Sequence, residues 1–266
     1  MPTDGELWAR AELERLLDRG FRPRAVAGFL AASQRRANQV RRERPEVARR
    51  EAAWAIAGAA AWLGLAAHGV EPFRRRAAAG LGGWALTILM LDWHLGMLET
   101  PEGDKRNLGA ADAATLLRAW LIPAVAGGPS PLLCTIGFGT DMLDGQLARA
   151  TRSTRLGRDL EGLVDAAFSA AALCGNRRGG RSSRMATVAE AVRMGVGFAY
   201  AVACYFGRAK APDARVLRAG RAIAPARAAG VLLSAAGRDR LGGALLLAGS
   251  AVGTAVVARS LISSGA

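Results

Sequence analysis

Apolar residues in this chain are gathered into runs separated by short arginine-rich breaks. The runs cover 52–70, 77–98, 110–128, 132–147, 160–174, 185–206, 222–236 and 241–257. Several approach the roughly 20 residues that a helix needs to cross a bilayer. The breaks carry Arg74–Arg76, a turn over 148–156, a basic polar loop over 175–184 and a basic loop over 208–221. Residues 1–50 behave differently. There Trp8, Leu13, Leu16 and Leu17 recur at helical spacing, Val26, Phe29 and Leu30 form a second face, and Arg35–Arg50 is a basic run. The pattern predicts an all-α, polytopic membrane helix bundle. Its expected parts are a cytoplasmic charged helical extension (1–50), two additional transmembrane helices (51–106) and a membrane domain of six core helices (107–266). No apolar h-region follows the first residues, so no cleavable signal peptide is expected.

Composition sharpens this. Hydrophobic content of 51% with mean hydropathy +0.15 is high for a soluble protein, yet 22% of residues are charged. Both hold if charge is confined to loops and termini. Abundant alanine and glycine suit close packing of membrane helices. The net charge of +14 is nearly all arginine spread between apolar runs, which favours anionic lipid headgroups and substrates over nucleic acid. Cys134, Cys174 and Cys204 are far apart and are expected to be free, buried thiols, forming neither a disulfide framework nor a zinc site. Asp92, Trp93 and His94 close the second run and are read as an interfacial anchor. Neither His94 nor His68 has an evident metal partner.

The unusual stretch is GTDMLDGQLARATRSTRLGRDLEGLVD, from Gly139 to Asp165. Carboxylates are costly beside hydrocarbon, so five of them between apolar runs point to function. Asp141 and Asp144 are i and i+3; Gly157, Glu161 and Asp165 are i, i+4 and i+8. At about 100° per residue each set keeps to one helix face. Helices joined by the polar turn at 148–156 would bring the two acidic pairs together, and such an oxygen set suits Mg²⁺ or Mn²⁺. Asp159 lies about 120° around the helix from Asp165 and is expected to cap the helix start.

The stretch resembles the signature of the CDP-alcohol phosphatidyltransferases, D-x-x-D-G-x-x-A-R followed by G-x-x-x-D-x-x-x-D. Asp141, Asp144, Gly145, Ala148, Arg149, Gly157 and Asp165 match. Glu161 replaces the third Asp, and seven residues rather than eight separate Arg149 from Gly157. A turn can absorb the missing residue, and Glu retains the carboxylate. The segment from Ala110 also resembles the family's first core helix through Thr115, Arg118 and Pro123, with Asp112 in place of an Asn.

The resemblance implies a membrane transferase of phospholipid biosynthesis. It would move a phosphatidyl group from a CDP-diacylglycerol-type lipid donor to a small polar hydroxyl acceptor, releasing CMP. Asp141, Asp144, Glu161 and Asp165 would hold the metal, with Asp165 also the catalytic base. Gly145, Ala148, Arg149, Gly157, Thr115 and Arg118 would face the nucleotide. Independently of the family, Arg118 sits inside an apolar run and calls for an anion or a carboxylate partner. Glu190 and Arg193 are i and i+3 and can pair, while the family's use of basic residues nearby makes Arg193 a candidate acceptor ligand. Membrane lipids and a second copy of the chain, as a homodimer, complete the expected partners.

Arginine placement favours a cell-membrane protein with the N-terminus and the active site on the cytoplasmic side. Arg177, Arg178, Arg181 and Arg184 run against that assignment. Two competing functions remain at this point: a soluble CDP-alcohol donor with diacylglycerol as acceptor, and a non-catalytic metal-binding membrane protein or transporter.

Overall fold

The computed structural model describes residues 3–140, 154–207 and 213–263. The architecture is all-α. In chain order the helices are α1 (Asp4–Asp18), α2 (Pro23–Glu43), α3 (Pro45–Ala67), α4 (Ala77–His94), α5 (Ala110–Gly127), α6 (Pro131–Thr140), α7 (Arg155–Arg178), α8 (Arg184–Val202), α9 (Ala214–Ala235) and α10 (Asp239–Ser263). A short 3₁₀ turn, Leu95–Met97, follows α4, and a π turn, Ala203–Gly207, follows α8.

Local chemistry sets these boundaries. Pro23 and Pro45 open α2 and α3, where a missing N–H costs nothing. Thr3, Ser183 and Asp213 cap α1, α8 and α9 by accepting from backbone N–H groups. Gly237, at φ 76°, ends α9 in a left-handed residue that lets Arg238 N–H reach Leu233 O at 2.8 Å.

The helices outrun the apolar runs. Helix α7 starts at Arg155 and continues to Arg178, beyond the expected 160–174, and α9 starts at Ala214, so Arg215, Arg218 and Arg221 are helical rather than in a loop. Backbone hydrogen bonding does not require apolar side chains, and arginine is a good helix former. Among the described residues, two helices are long and apolar enough to cross a membrane: Arg184–Tyr205, mean hydropathy 1.2, and Asp239–Ser260, mean hydropathy 1.9.

Packing divides the chain into two compact units, one of residues 1–127 and 136–168, the other of 128–135 and 169–266. In the first, α3 and α4 exchange tryptophans. The Trp62 ring lies on Gly80 and the Trp84 ring on Gly58. Trp62 also meets Phe73 and Trp120 edge-on, at 4.9 and 5.1 Å between centroids. The indole N–H of Trp84 donates to Ala55 O and that of Trp120 to Gly58 O, each at 2.8 Å. A Cβ at Gly80 would overlap the Trp62 ring, whereas Gly82 has open space. Gly80→Val should therefore cost about 1–3 kcal/mol as an overpacked core. A lowered melting temperature in detergent, beside an unchanged Gly82→Val, is the expected readout.

The polar end of α4 is turned inward rather than outward as an interfacial anchor. Asp92 is buried, pairs with Arg41 and accepts from Gln34 Nε2 at 2.7 Å. Trp93 Nε1 donates to Gln34 Oε1 at 3.0 Å. The cause is α2, which lies across this end of α4 and supplies the polar partners. Cys134 and Cys204 are buried and free, but Cys174 is exposed, contrary to expectation, because it falls on the outward side of α7.

In the second unit α8, α9 and α10 pack together around Glu190, which is 2% exposed. Arg193 Nε donates to Glu190 Oε2, and Arg227 Nε to Oε1, each at 2.9 Å. Ser250 Oγ donates to Oε2 at 2.8 Å. Glycines at 249 and 253 on α10 leave room for the stems of Arg227 and Arg193.

Candidate active site

The site is built from one face of α5. Asp112, Thr115 and Arg118 recur there every third residue, and all are buried. Asp112 Oδ2 accepts from Gly109 N at 2.7 Å and so caps the start of α5. Its other oxygen faces α7, where a Cβ at Gly157 would stand 2.9 Å from Asp112 Oδ1. Gly157 is thus a position at which a side chain would collide with a buried carboxylate. Thr115 Oγ1 donates to Ala111 O at 3.3 Å.

Six residues beyond Asp112, Arg118 reaches the same helix. Its Nη1 pairs with Asp165 Oδ1, and its Nε donates to Gly137 O at 3.2 Å. Arg118 is 1% exposed and Asp165 38%. The guanidinium is sealed in, while the carboxylate keeps an open side. Contacts at Asp112–Gly157 and Arg118–Asp165 together mean that α5 and α7 run side by side in the same direction. Of the alternatives open for Arg118, the described structure supplies the carboxylate.

Helix α6 closes the third side. Gly137 O accepts from Arg118 Nε and also from Thr140 Oγ1, the latter at 2.8 Å. A Cβ at Gly137 would overlap the Phe168 ring, which also meets Phe138 edge-on at 5.3 Å. The absence of a side chain at 137 is what lets α6 approach α7 closely enough for Arg118 to bridge the two.

Glu161 and Asp165 lie one turn apart on α7, both partly accessible. Asp159 does not cap this helix. Thr154 does, accepting from Gly157 N at 3.0 Å, and Asp159 lies inside the helix on an exposed position. The helix simply begins earlier than the apolar pattern indicated. Ser153–Thr154 ahead of Leu156, Leu160 and Val164 is the start signal that marks it.

Asp141, Asp144, Gly145, Ala148 and Arg149 lie outside the described residues. Among the described residues no group of three or more His, Cys, Asp or Glu side chains is assembled to hold a metal. The described part of the expected set is Glu161 and Asp165. Two carboxylates at i and i+4, partly accessible, with oxygen as the only donor type, fit a hard divalent cation. Arg193 belongs to the second unit, paired with Glu190. The residues that pattern reading passed over are Gly137, through its carbonyl, and Thr154.

A family model described as CDP-alcohol phosphatidyltransferase matches residues 110–256, from the first residue of α5 into α10. No curated protein and no solved structure matches the chain.

Proposed function

The chain belongs to the CDP-alcohol phosphatidyltransferase family, and on that premise we propose that it transfers a phosphatidyl group from a CDP-diacylglycerol-type lipid to a small polar alcohol. The family's enzymes are membrane-associated transferases, generally dependent on a divalent metal. The observation that carries the reading is the Arg118–Asp165 pair. It sets a carboxylate with one open side at the place where the family signature ends.

In this reading the acceptor hydroxyl attacks the phosphorus next to the lipid. The new O–P bond forms, the diphosphate bond breaks, CMP leaves, and the hydroxyl proton passes to Asp165. Arg118 holds the Asp165 carboxylate in place, so the base is aimed before the acceptor arrives. Asp141, Asp144, Glu161 and Asp165 would hold Mg²⁺ or Mn²⁺, which when bound neutralises charge on the diphosphate. Thr115, Gly145, Ala148, Arg149 and Gly157, with Arg118, would face the cytidine diphosphate. Arg193, in the second unit, donates to Glu190 through both Nε and Nη2 and is a candidate acceptor ligand by the family resemblance alone. The protein would be a multi-pass cell-membrane homodimer, with six core and two additional spans and its site open to the cytoplasm.

The test is isotope transfer from labelled CDP-diacylglycerol by purified protein, with glycerol 3-phosphate, inositol phosphate and serine as acceptors. CMP release should require an acceptor, stop with EDTA and return with Mg²⁺ or Mn²⁺. Turnover undiminished in metal-free buffer, or no transfer to any acceptor, would sink the proposal.

A further inference from the structure

We infer that the N-terminal helices act as a clamp that sets the position of the acidic helix α7, with Arg155 as the positioning residue through which they act. The inference rests on the reading of Glu161 and Asp165 as site residues. A charged extension merely resting on the membrane surface would have no bonds to α7, and the contacts show otherwise. The guanidinium of Arg155, the first residue of α7, lies 2.7 Å from Glu6 on α1. Its backbone N–H, one of the donors that a helix start leaves unpaired, donates to Glu99 O at 3.0 Å. The Glu99 carboxylate in turn accepts from Gly5 N at 3.1 Å, at the start of α1. A Cβ at Gly5 would stand 2.6 Å from Glu99 Oε1 and 3.0 Å from Gly96 O, so this approach is built into the sequence. The starts of α1 and α7 are thus fastened to one buried residue of the linker between α4 and α5.

The linker is itself gripped from the N-terminal side. Arg36 donates to Gly96 O at 3.3 Å through Nη2, Arg44 to Arg106 O at 2.8 Å, and Arg50 to Leu108 O. Leu156 and Leu160 of α7 share a core with Ala37, Val47, Leu95 and Leu108. Arginines of the basic run therefore hold backbone carbonyls. Glu161 is six residues, under two turns, from Arg155 on a continuous helix. At about 1.5 Å rise per residue, holding the first turn of a stiff helix fixes the carboxylates that follow.

The test compares Arg155→Met, Arg155→Lys and Glu6→Gln with the wild-type full chain in detergent. Glu6 is 44% exposed, so its variant should fold. Hydrogen exchange over 156–165 should rise at least about threefold in Arg155→Met and in Glu6→Gln, while exchange over 186–200 stays unchanged. In the same two variants kcat should fall about tenfold, within the roughly 10²-fold that a 1 Å misplacement can cost, with the donor KM nearly constant. Arg155→Lys should recover both readouts. Unchanged exchange overturns the clamp, and faster exchange with unchanged kcat overturns its service to the site. Absence of transfer by the wild-type chain overturns the functional reading and with it that service, whereas wild-type transfer with unaltered variants overturns the clamp alone.

Discussion

Asp165→Asn should reduce transfer by several orders of magnitude while the protein still folds. Removing a positioned base typically costs about 10² to 10⁴ in rate, and the loss of a metal-holding oxygen adds to it. Asn is the informative replacement because its amide oxygen can still accept from Arg118, so the buried guanidinium is not left without a partner. Alanine would mix a folding defect into the rate. The partial accessibility of Asp165 also argues that the fold tolerates the change, since the open side can be solvated. Turnover and Mn²⁺ affinity measured on the same preparation separate the two roles, with affinity falling less than turnover. Glu161→Asp provides the contrast. It preserves the carboxylate and supplies the residue usual in the family signature, so it should keep measurable activity. Wild-type turnover in Asp165→Asn, or greater damage from Asp159→Asn, would mean that the signature has been laid on α7 in the wrong register.

Periodicity and spacing carried the all-α class, the start of α5 and the shared face of Gly157, Glu161 and Asp165. They could do so because helical spacing maps directly to helix face. Helix ends were less legible. Helix α9 was expected to begin where its apolar run begins, but Asp213 caps it eight residues earlier, and the arginines between extend the helix without entering a core. In the basic segments, charge alone does not say whether an arginine faces a phosphate or a carbonyl. Arg181 shows the difference. It counts against the orientation expected from arginine placement, yet this exposed residue has its guanidinium held by backbone carbonyls. Its Nη1 donates to Pro129 O at 2.8 Å and to Ala235 O at 3.3 Å, where it stabilises the C-terminal end of α9. One of the four arginines that opposed the assignment is therefore a structural residue, and its position carries little topological information. Gly137 was invisible for a related reason: its role lies in a carbonyl and in a missing side chain, and neither leaves a mark on a hydrophobic pattern.

Arg118→Leu should be the second severe change, and its mechanism differs from that of Asp165→Asn. The arginine is sealed between α5, α6 and α7, so its loss removes the bond to Gly137 O and the partner of Asp165 in one step. Breaking a fully buried pair costs roughly 3–5 kcal/mol. Here Asp165 is 38% exposed and can recover hydration, so the cost should be nearer 2 kcal/mol, enough to lower the melting temperature while leaving a folded protein. Leucine is a good helix former and suits a buried position on α5, which favours that outcome. Activity should fall by more than stability predicts, because Asp165 loses the group that aims it. Arg118→Lys decides between charge and geometry. A single ammonium can meet Asp165 or the Gly137 carbonyl but cannot reproduce a planar fork that meets both. If geometry governs, Lys restores the melting temperature more than it restores kcat. Equal recovery of both would assign Arg118 to charge balance, and unchanged kinetics in Arg118→Leu would reduce it to packing and remove the main support for Asp165 as the base.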